Sequence, residues 1–216
     1  MLGATAALAL VGSPAGAASS DNTIEKRAVL KRTDFPAGWD SSKRSAPESS
    51  GIDVCAGIDD ANDVLAPQST RSPNFTKTDT DNVLANNSVV VLKSVKEAKS
   101  YLDPYRDDAA VRCLETLTET ALTQANFAAV RVYVTPTDDV PSGADDAAGF
   151  DIQITVTSAA TPGQPAQTEV IYQDYVFVRV GRALANFGFL NPGKSLPEQG
   201  ELVDVVIGRL EDALAR

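Results

Sequence analysis

The sequence contains no histidine. That absence removes serine–histidine–aspartate and cysteine–histidine catalysis, and every zinc site that relies on imidazole. Carboxylate, lysine, tyrosine or serine–lysine chemistry remains. Cysteine is scarce as well, with Cys55 and Cys113 alone in the chain. In an oxidising compartment such a pair reads as one disulfide, closing a loop of roughly sixty residues that the chain-entropy model values at about 4 kcal/mol. The other reading is two buried free thiols. Two thiolates without imidazole make a poor ligand set, so neither a metal site nor a cofactor is expected. Positive charge is also in deficit: 19 Lys and Arg against 29 Asp and Glu give a net charge of −10. This argues against a nucleic-acid-binding surface and against electrostatic docking on anionic lipid, and it serves solubility. No apolar run is long enough to span a bilayer as a helix.

What is present begins with a leader. The first twenty residues carry no charge; Leu2–Val11 is apolar and is followed by Gly12, Pro14 and the small residues Ala15, Gly16 and Ala17. This has the form of a signal peptide over residues 1–18, with cleavage near Ala17 or Ala18. No Lys or Arg precedes the apolar run, so the start reads as truncated or as preceded by an upstream initiator. The expected product is an exported, extracytoplasmic protein with a single domain over residues 21–216, a length that buries a sizeable core.

The stretch Gln167–Phe189 has the highest β-propensity in the chain. Val170, Ile171, Tyr172, Tyr175, Val176, Phe177, Val178 and Val180 are types that suit a pleated, half-buried surface, and Gly181-Arg182 marks a bend or turn. Two further strands are expected over Phe127–Thr135 and from Phe150 to Thr157, where Phe150, Ile152, Ile154 and Val156 alternate with polar residues. A strand pair is expected over Asn74–Asn82 and Asn87–Ser94. Helices are expected over Asp21–Arg32, within Val54–Leu65, after a Ser94 cap, and from Asp103-Pro104 to about Leu122. In the last of these, Ala109, Cys113, Leu117 and Ala121, with Leu114 alongside, mark the inward stripe. Ser195 and Glu198 have capping-box spacing ahead of a closing helix carrying Leu202, Val206, Leu210 and Ala213. The fold class is α+β: an antiparallel sheet of about five strands, helices covering one face, and a C-terminal helix.

Four features carry candidate chemistry. Gly188, Gly193, Lys194 and Ser195 match the spacing of a phosphate-cradling loop. Too little chain follows for parallel βαβ units, however, so a turn with Ser195 as helix cap is the better reading. Acidic clusters occur at Asp59, Asp60 and Asp63; Asp79 and Asp81; Asp138 and Asp139; and Asp145 and Asp146. Asp79–Asn82 opens like a calcium loop but lacks its glycine and its closing glutamate. A glycosidase-type carboxylate pair leaves no spacing to read in a sequence. Finally, Arg179 and Arg182 flank the bend beside Tyr172, Tyr175 and Phe177. Together with Trp39 they form a candidate binding cleft with apolar walls and a cationic end, suited to a lipid or acidic amphiphile. The structural alternative places the aromatics in the core and pairs the arginines with carboxylates at the sheet edge.

The leader, the run Thr33-Asp34-Phe35-Pro36-Ala37-Gly38-Trp39, Cys55 before a polar loop, Cys113 in a helix, the tyrosine-bearing strand entering Val180-Gly181-Arg182-Ala183-Leu184, and the amphipathic C-terminal helix together resemble actinobacterial extracytoplasmic sensor-type domains. Extracellular domains of mycobacterial receptor kinases belong to that group. The resemblance implies an antiparallel sheet with flanking helices around a cleft, and a role in binding an envelope or extracellular ligand. The receptor-kinase domain carries two disulfides where this chain has cysteines for one. The functional expectation is a non-enzymatic binding or sensor-like module of the cell envelope, whose partner is a small molecule, lipid, envelope component or another protein. The alternatives are a carboxylate-dependent hydrolase of envelope polymers, which needs two acids within about 10 Å in a cleft with one pKa raised, and a secreted protein-docking module.

Overall fold

The computed structural model describes residues 15–44, 51–57, 69–80, 82–125 and 127–215. The leader residues 1–14, most of the segment that holds Asp59, Asp60 and Asp63, and Asp81 lie outside the described residues. Eight strands form one antiparallel sheet: β1 (Trp39–Ser42), β2 (Thr70–Arg71), β3 (Asn74–Lys77), β4 (Leu84–Val91), β5 (Ala129–Thr137), β6 (Asp146–Thr157), β7 (Thr168–Val180) and β8 (Ala183–Pro192). Their order is β1-β3-β4-β8-β7-β6-β5, with β2 on β4. Five α-helices accompany them among the described residues: α1 (Ala15–Ala28), α2 (Gly51–Cys55), α3 (Val95–Leu102), α4 (Asp108–Gln124) and α5 (Gln199–Leu214).

The α+β class and the closing helix agree with the sequence reading, but the sheet has more than five strands. Gln167–Phe189 is a hairpin rather than one bent strand. β7 and β8 pair from Ile171 opposite Pro192 to Val180 opposite Ala183. The loop between them is Gly181-Arg182, with Gly181 at φ +56°. Glycine in the first loop position supplies the positive φ that lets two residues reverse a twisted strand pair.

Helices cover both faces of the sheet, not one. Along β7, Val176, Val178 and Val180 join the core under α1 and α5, with Trp39, Phe75, Phe187, Phe189, Val206 and Leu210. Phe177 faces the other way, into a core with Tyr105, Phe150, Ile152, Leu102 and Leu114 under α3 and α4. A strand buried on both faces reads as a continuous apolar run, and for that reason the sequence pattern of β7 and β4 identifies no covered side.

Local chemistry explains the helix boundaries. Ser94 caps α3 by accepting from the Glu97 N–H at 3.1 Å, as its position predicts. Asp103-Pro104 instead starts a short 3₁₀ turn, and α4 begins later, capped by Asp107 through the Ala109 N–H at 2.8 Å. Within α4, Leu114 is buried as expected, but Ala110 is buried in place of Ala109, and Leu117 is 42% exposed. α5 likewise begins at Gln199, so Ser195 lies outside the helix and does not cap it. Phe35 stacks on Phe75 at 4.3 Å and meets Trp39 at 4.8 Å, which anchors the Pro36–Gly38 turn to the core. Cys55 and Cys113 form a disulfide, Cα atoms 5.4 Å apart, that ties the single turn of α2 to α4.

Candidate functional site

The residues expected to line one cleft are divided by the sheet. Trp39 is 1% exposed in the core beneath α1 and α5, whereas Phe177 is buried in the core beneath α3 and α4 and stacks on Tyr105 at 4.1 Å. Side chains alternate along β7, so Tyr172 lies on the α5 side while Tyr175 shares the Phe177 side. Arg179 is buried and bonded to Asp145 at 3.1 Å and to the Gly181 carbonyl at 3.1 Å. Arg182 pairs with Asp21 of α1 and donates to the Leu92 carbonyl at 2.8 Å. Both arginines thus fix the β7–β8 turn instead of lining a cleft. Asp145 and Asp146, read as a free acidic cluster, serve Arg179 and Arg106.

Of the six, Tyr175 borders an apolar hollow of about 380 Å³ on the α4 side, with Leu114, Ile152, Ile154, Ile171 and Leu190. Arg44 stands within electrostatic reach of Tyr175 and Arg71, and donates to the Asn87 carbonyl and the Ser88 hydroxyl at 3.3 and 3.2 Å. The phosphate-loop spacing also dissolves. Gly188 lies inside β8 of an antiparallel sheet, and Gly193 (φ +83°) forms the turn that leaves it.

The site that the fold builds most completely lies on the other face. Asp151 of β6 and Asp174 of β7 are direct cross-strand partners, a position that brings Cβ atoms to roughly 4.5–5.5 Å. Both side chains point towards the start of α5. With Ser195, Leu196, Gln199, Gly200, Val203 and Asp204 above them, and Thr137, Asp139 and Pro141 from the β5–β6 connection, they enclose a cavity of about 370 Å³. Its floor is apolar sheet, including Ala147 and Val176. No Lys or Arg lines it.

Asp174 is 2% exposed, and its Oδ1 has no hydrogen-bond partner. Its other cross-strand neighbour is Phe189. Burial raises the Asp174 pKa to about 6; the Asp151 charge adds to the rise, and the Ser195 hydroxyl pulls against it. Asp151 is exposed at the cavity mouth, and it too titrates above the ordinary aspartate value, through partial desolvation and the charge of Asp139. Gln199 Oε1 lines the same cavity and is a second buried acceptor without a donor. Unmatched buried acceptors are uncommon in folded proteins; the two residues that carry these both border the cavity. Among the described residues no cluster of three His, Cys, Asp or Glu is placed to hold a metal ion.

The chain matches, over most of its length, the extracellular domain of PknH from Mycobacterium tuberculosis. The match covers 89% of this chain and 97% of that one, at 10% sequence identity and a TM-score of 0.40. No family model and no curated protein matches the sequence. At that identity no residue role is carried across.

Asp151 and Asp174 were missed as sequence candidates. A signal for Asp174 exists: it is an acid set within a run of β-branched and aromatic residues, where a buried charge is the informative exception. Its partner carries no such mark, because Asp151 falls in the polar phase of an alternating strand. That the two meet depends on the β6–β7 register.

Proposed function

We propose that this chain is an exported, non-enzymatic ligand-binding or sensor-like domain of the cell envelope, and that its ligand enters the cavity between the β6–β7 pair and α5. The observation that carries this is the buried Asp174 oxygen left without a partner at the floor of a formed cavity. A fold that desolvates a carboxylate and leaves one of its oxygens without a donor sacrifices stability, and a ligand restores what the protein omits. Pockets of this size with apolar walls and few polar groups suit small ligands. Export is supported by the uncharged leader and by the Cys55–Cys113 bond, since disulfides persist in oxidising compartments.

Native mass spectrometry of the protein secreted from an actinobacterial host, compared with the same sample denatured, tests the reading. A bound mass that is lost on denaturation, and absent from a Gly200→Trp variant that fills the cavity, is expected. Gly200 is suitable because no atom lies within 4 Å of its would-be Cβ. A ligand-free spectrum for both proteins counts against a tightly held ligand.

One observation favours a second reading. Asp151 and Asp174 resemble the acid pair of a carboxylate-dependent hydrolase: two adjacent acids lining a cleft, one titrating near 6 and both raised above the ordinary aspartate value. Asp174 would then serve as proton donor and Asp151 as base or nucleophile. Turnover of soluble envelope glycans that disappears in both Asp151→Asn and Asp174→Asn would establish that role in place of binding. A protein-docking role has less to rest on. The exposed large apolar side chains Val54, Val95, Leu117, Tyr133, Val140 and Val205 lie on different segments.

A further inference from the structure

The cavity's chemistry specifies what it holds. We infer that the Asp151–Asp174 cavity binds an organic ammonium ion, a primary amine or short diamine with an aliphatic body; the inference rests on the ligand-binding reading above.

The lining groups are almost all acceptors. Asp174 Oδ1 and Gln199 Oε1 are buried and lack donors, and Asp151, Asp139 and Asp204 add three more carboxylates around the space. Among the described residues no lysine or arginine lines the space; β5, β6, β7, the β8–α5 turn and α5 contribute Thr137, Ser195 and apolar side chains besides these groups. An occupant that donates hydrogen bonds and carries positive charge satisfies all of them, and a charge-assisted N⁺–H···O⁻ bond is about twice as strong as a neutral one. A neutral alcohol would answer the orphan acceptors but leave the facing carboxylates repelling each other.

The same walls discriminate among cations. A hydrated metal ion would lose water against Val176, Leu196, Val203 and Pro141, and hard cations need six or more oxygen ligands in close geometry. No such cluster exists among the described residues. An aliphatic ammonium places its charge at the Asp174 end and its methylenes on those walls, where burial of each CH₂ is favourable. The acids stand at two levels, Asp174 buried and Asp139 and Asp204 exposed at the rim, so a second ammonium group meets carboxylates there as well. The rival is an anion: the first turn of α5 also borders the cavity, and helix N-termini attract negative charge.

Calorimetric titration of the folded domain with 1-aminobutane, 1,5-diaminopentane, 1-butanol and glutarate at pH 7.5 decides between these. Binding of the two amines is expected, at least tenfold weaker in Asp174→Asn and abolished in Gly200→Trp. It should also weaken roughly tenfold at pH 5, where Asp174, titrating near 6, is mostly protonated. If glutarate or butanol binds and Gly200→Trp blocks it while the amines do not bind, the ammonium assignment is wrong and the cavity remains the ligand site. If no probe binds, or binding persists unchanged in Gly200→Trp, both readings fall.

Discussion

At the scale of single residues, the buried charge of Asp174 lowers the stability of the fold. Its pKa of about 6 in the fold, against 3.8 for an unperturbed aspartate, means that between about pH 4 and pH 6 the folded protein keeps a proton that the unfolded chain has released. Stability therefore falls as pH rises through that window and levels off above it. Asp151 and Glu25, both raised first by burial, add to the same slope. Replacing Asp174 by Asn removes the charge and keeps the shape. Two pKa units correspond to about 3 kcal/mol, so Asp174→Asn should gain up to that amount at pH 7.5 and almost nothing at pH 3.5. Urea denaturation at the two pH values measures it; an equal effect at both would show that the Asp174 charge is not what the fold tolerates. Loss of ligand with gain of stability is the usual trade at a functional position.

Asp34 has the opposite sign. Burial alone would raise it, but the Arg209 guanidinium and the Lys31 N–H hold it below the ordinary aspartate value. Its contribution is complete at neutral pH and is lost as pH falls below about 3.8 and through the folded pKa. Arg209 donates to Asp34 at 2.8 Å and to the Val29 carbonyl at 3.2 Å, so it locks α5 to the segment after α1. Removing it strands a buried carboxylate. Arg209→Ala should cost about 3 kcal/mol, and Arg209→Lys should recover part of that, since lysine replaces the charge but not the fork. Chemical denaturation of the two variants distinguishes charge from geometry.

At the scale of elements, α2 is the least self-sufficient. A single helical turn does not persist alone. Ile52, 3% exposed in the α3/α4 core, and the bond from Cys55 to Cys113 hold it. The Cys55→Ser, Cys113→Ser double variant should lose about 4 kcal/mol in the chain-entropy view, read as a lower denaturation midpoint. Hydrogen exchange should show α2 opening before α4. If exchange in α2 is unchanged, Ile52 packing rather than the bond secures it. The β7–β8 hairpin is the opposite case: it carries its own turn glycine, a clamp on each side through Arg179 and Arg182, and the longest strand among the described residues.

At the scale of the whole molecule, one sheet separates two cores. The single tryptophan, Trp39, reports on the α1/α5 core alone. Phe187 belongs to that core and Phe177 to the other, and each Phe→Ala change should cost 3–5 kcal/mol, about the usual range. Because the cores share every central strand, unfolding should be cooperative. Phe177→Ala is therefore expected to shift the Trp39 fluorescence transition as far as the circular-dichroism transition. A Trp39 transition that ignores Phe177→Ala would show that the two faces unfold separately.

Much of this protein is determined by its sequence alone. Alternation at Phe150–Val156, the Ser94 cap, the turn at Gly181 and the apolar rows of α5 are short-range facts, set by a residue and its near neighbours, and the α+β class follows from them. The absence of histidine likewise needs no coordinates to interpret, whereas the bond between the two cysteines is decided by the structure. Which faces are covered, and which acids meet, are different. Alternation assigns a side chain to one of two faces but cannot say which is buried when both are apolar. Trp39 and Phe177 were thus grouped on aromatic character and proved to lie in separate cores. Asp151 and Asp174 stand opposite each other because the β6–β7 connection sets a register in which 151 pairs with 174; a slip of one residue would turn one of them to the other face. Desolvation of Asp174 then arises from what packs above and beside it, elements far away in the chain. Electrostatics in a fold is a property of neighbours in space, and only the tertiary structure chooses those.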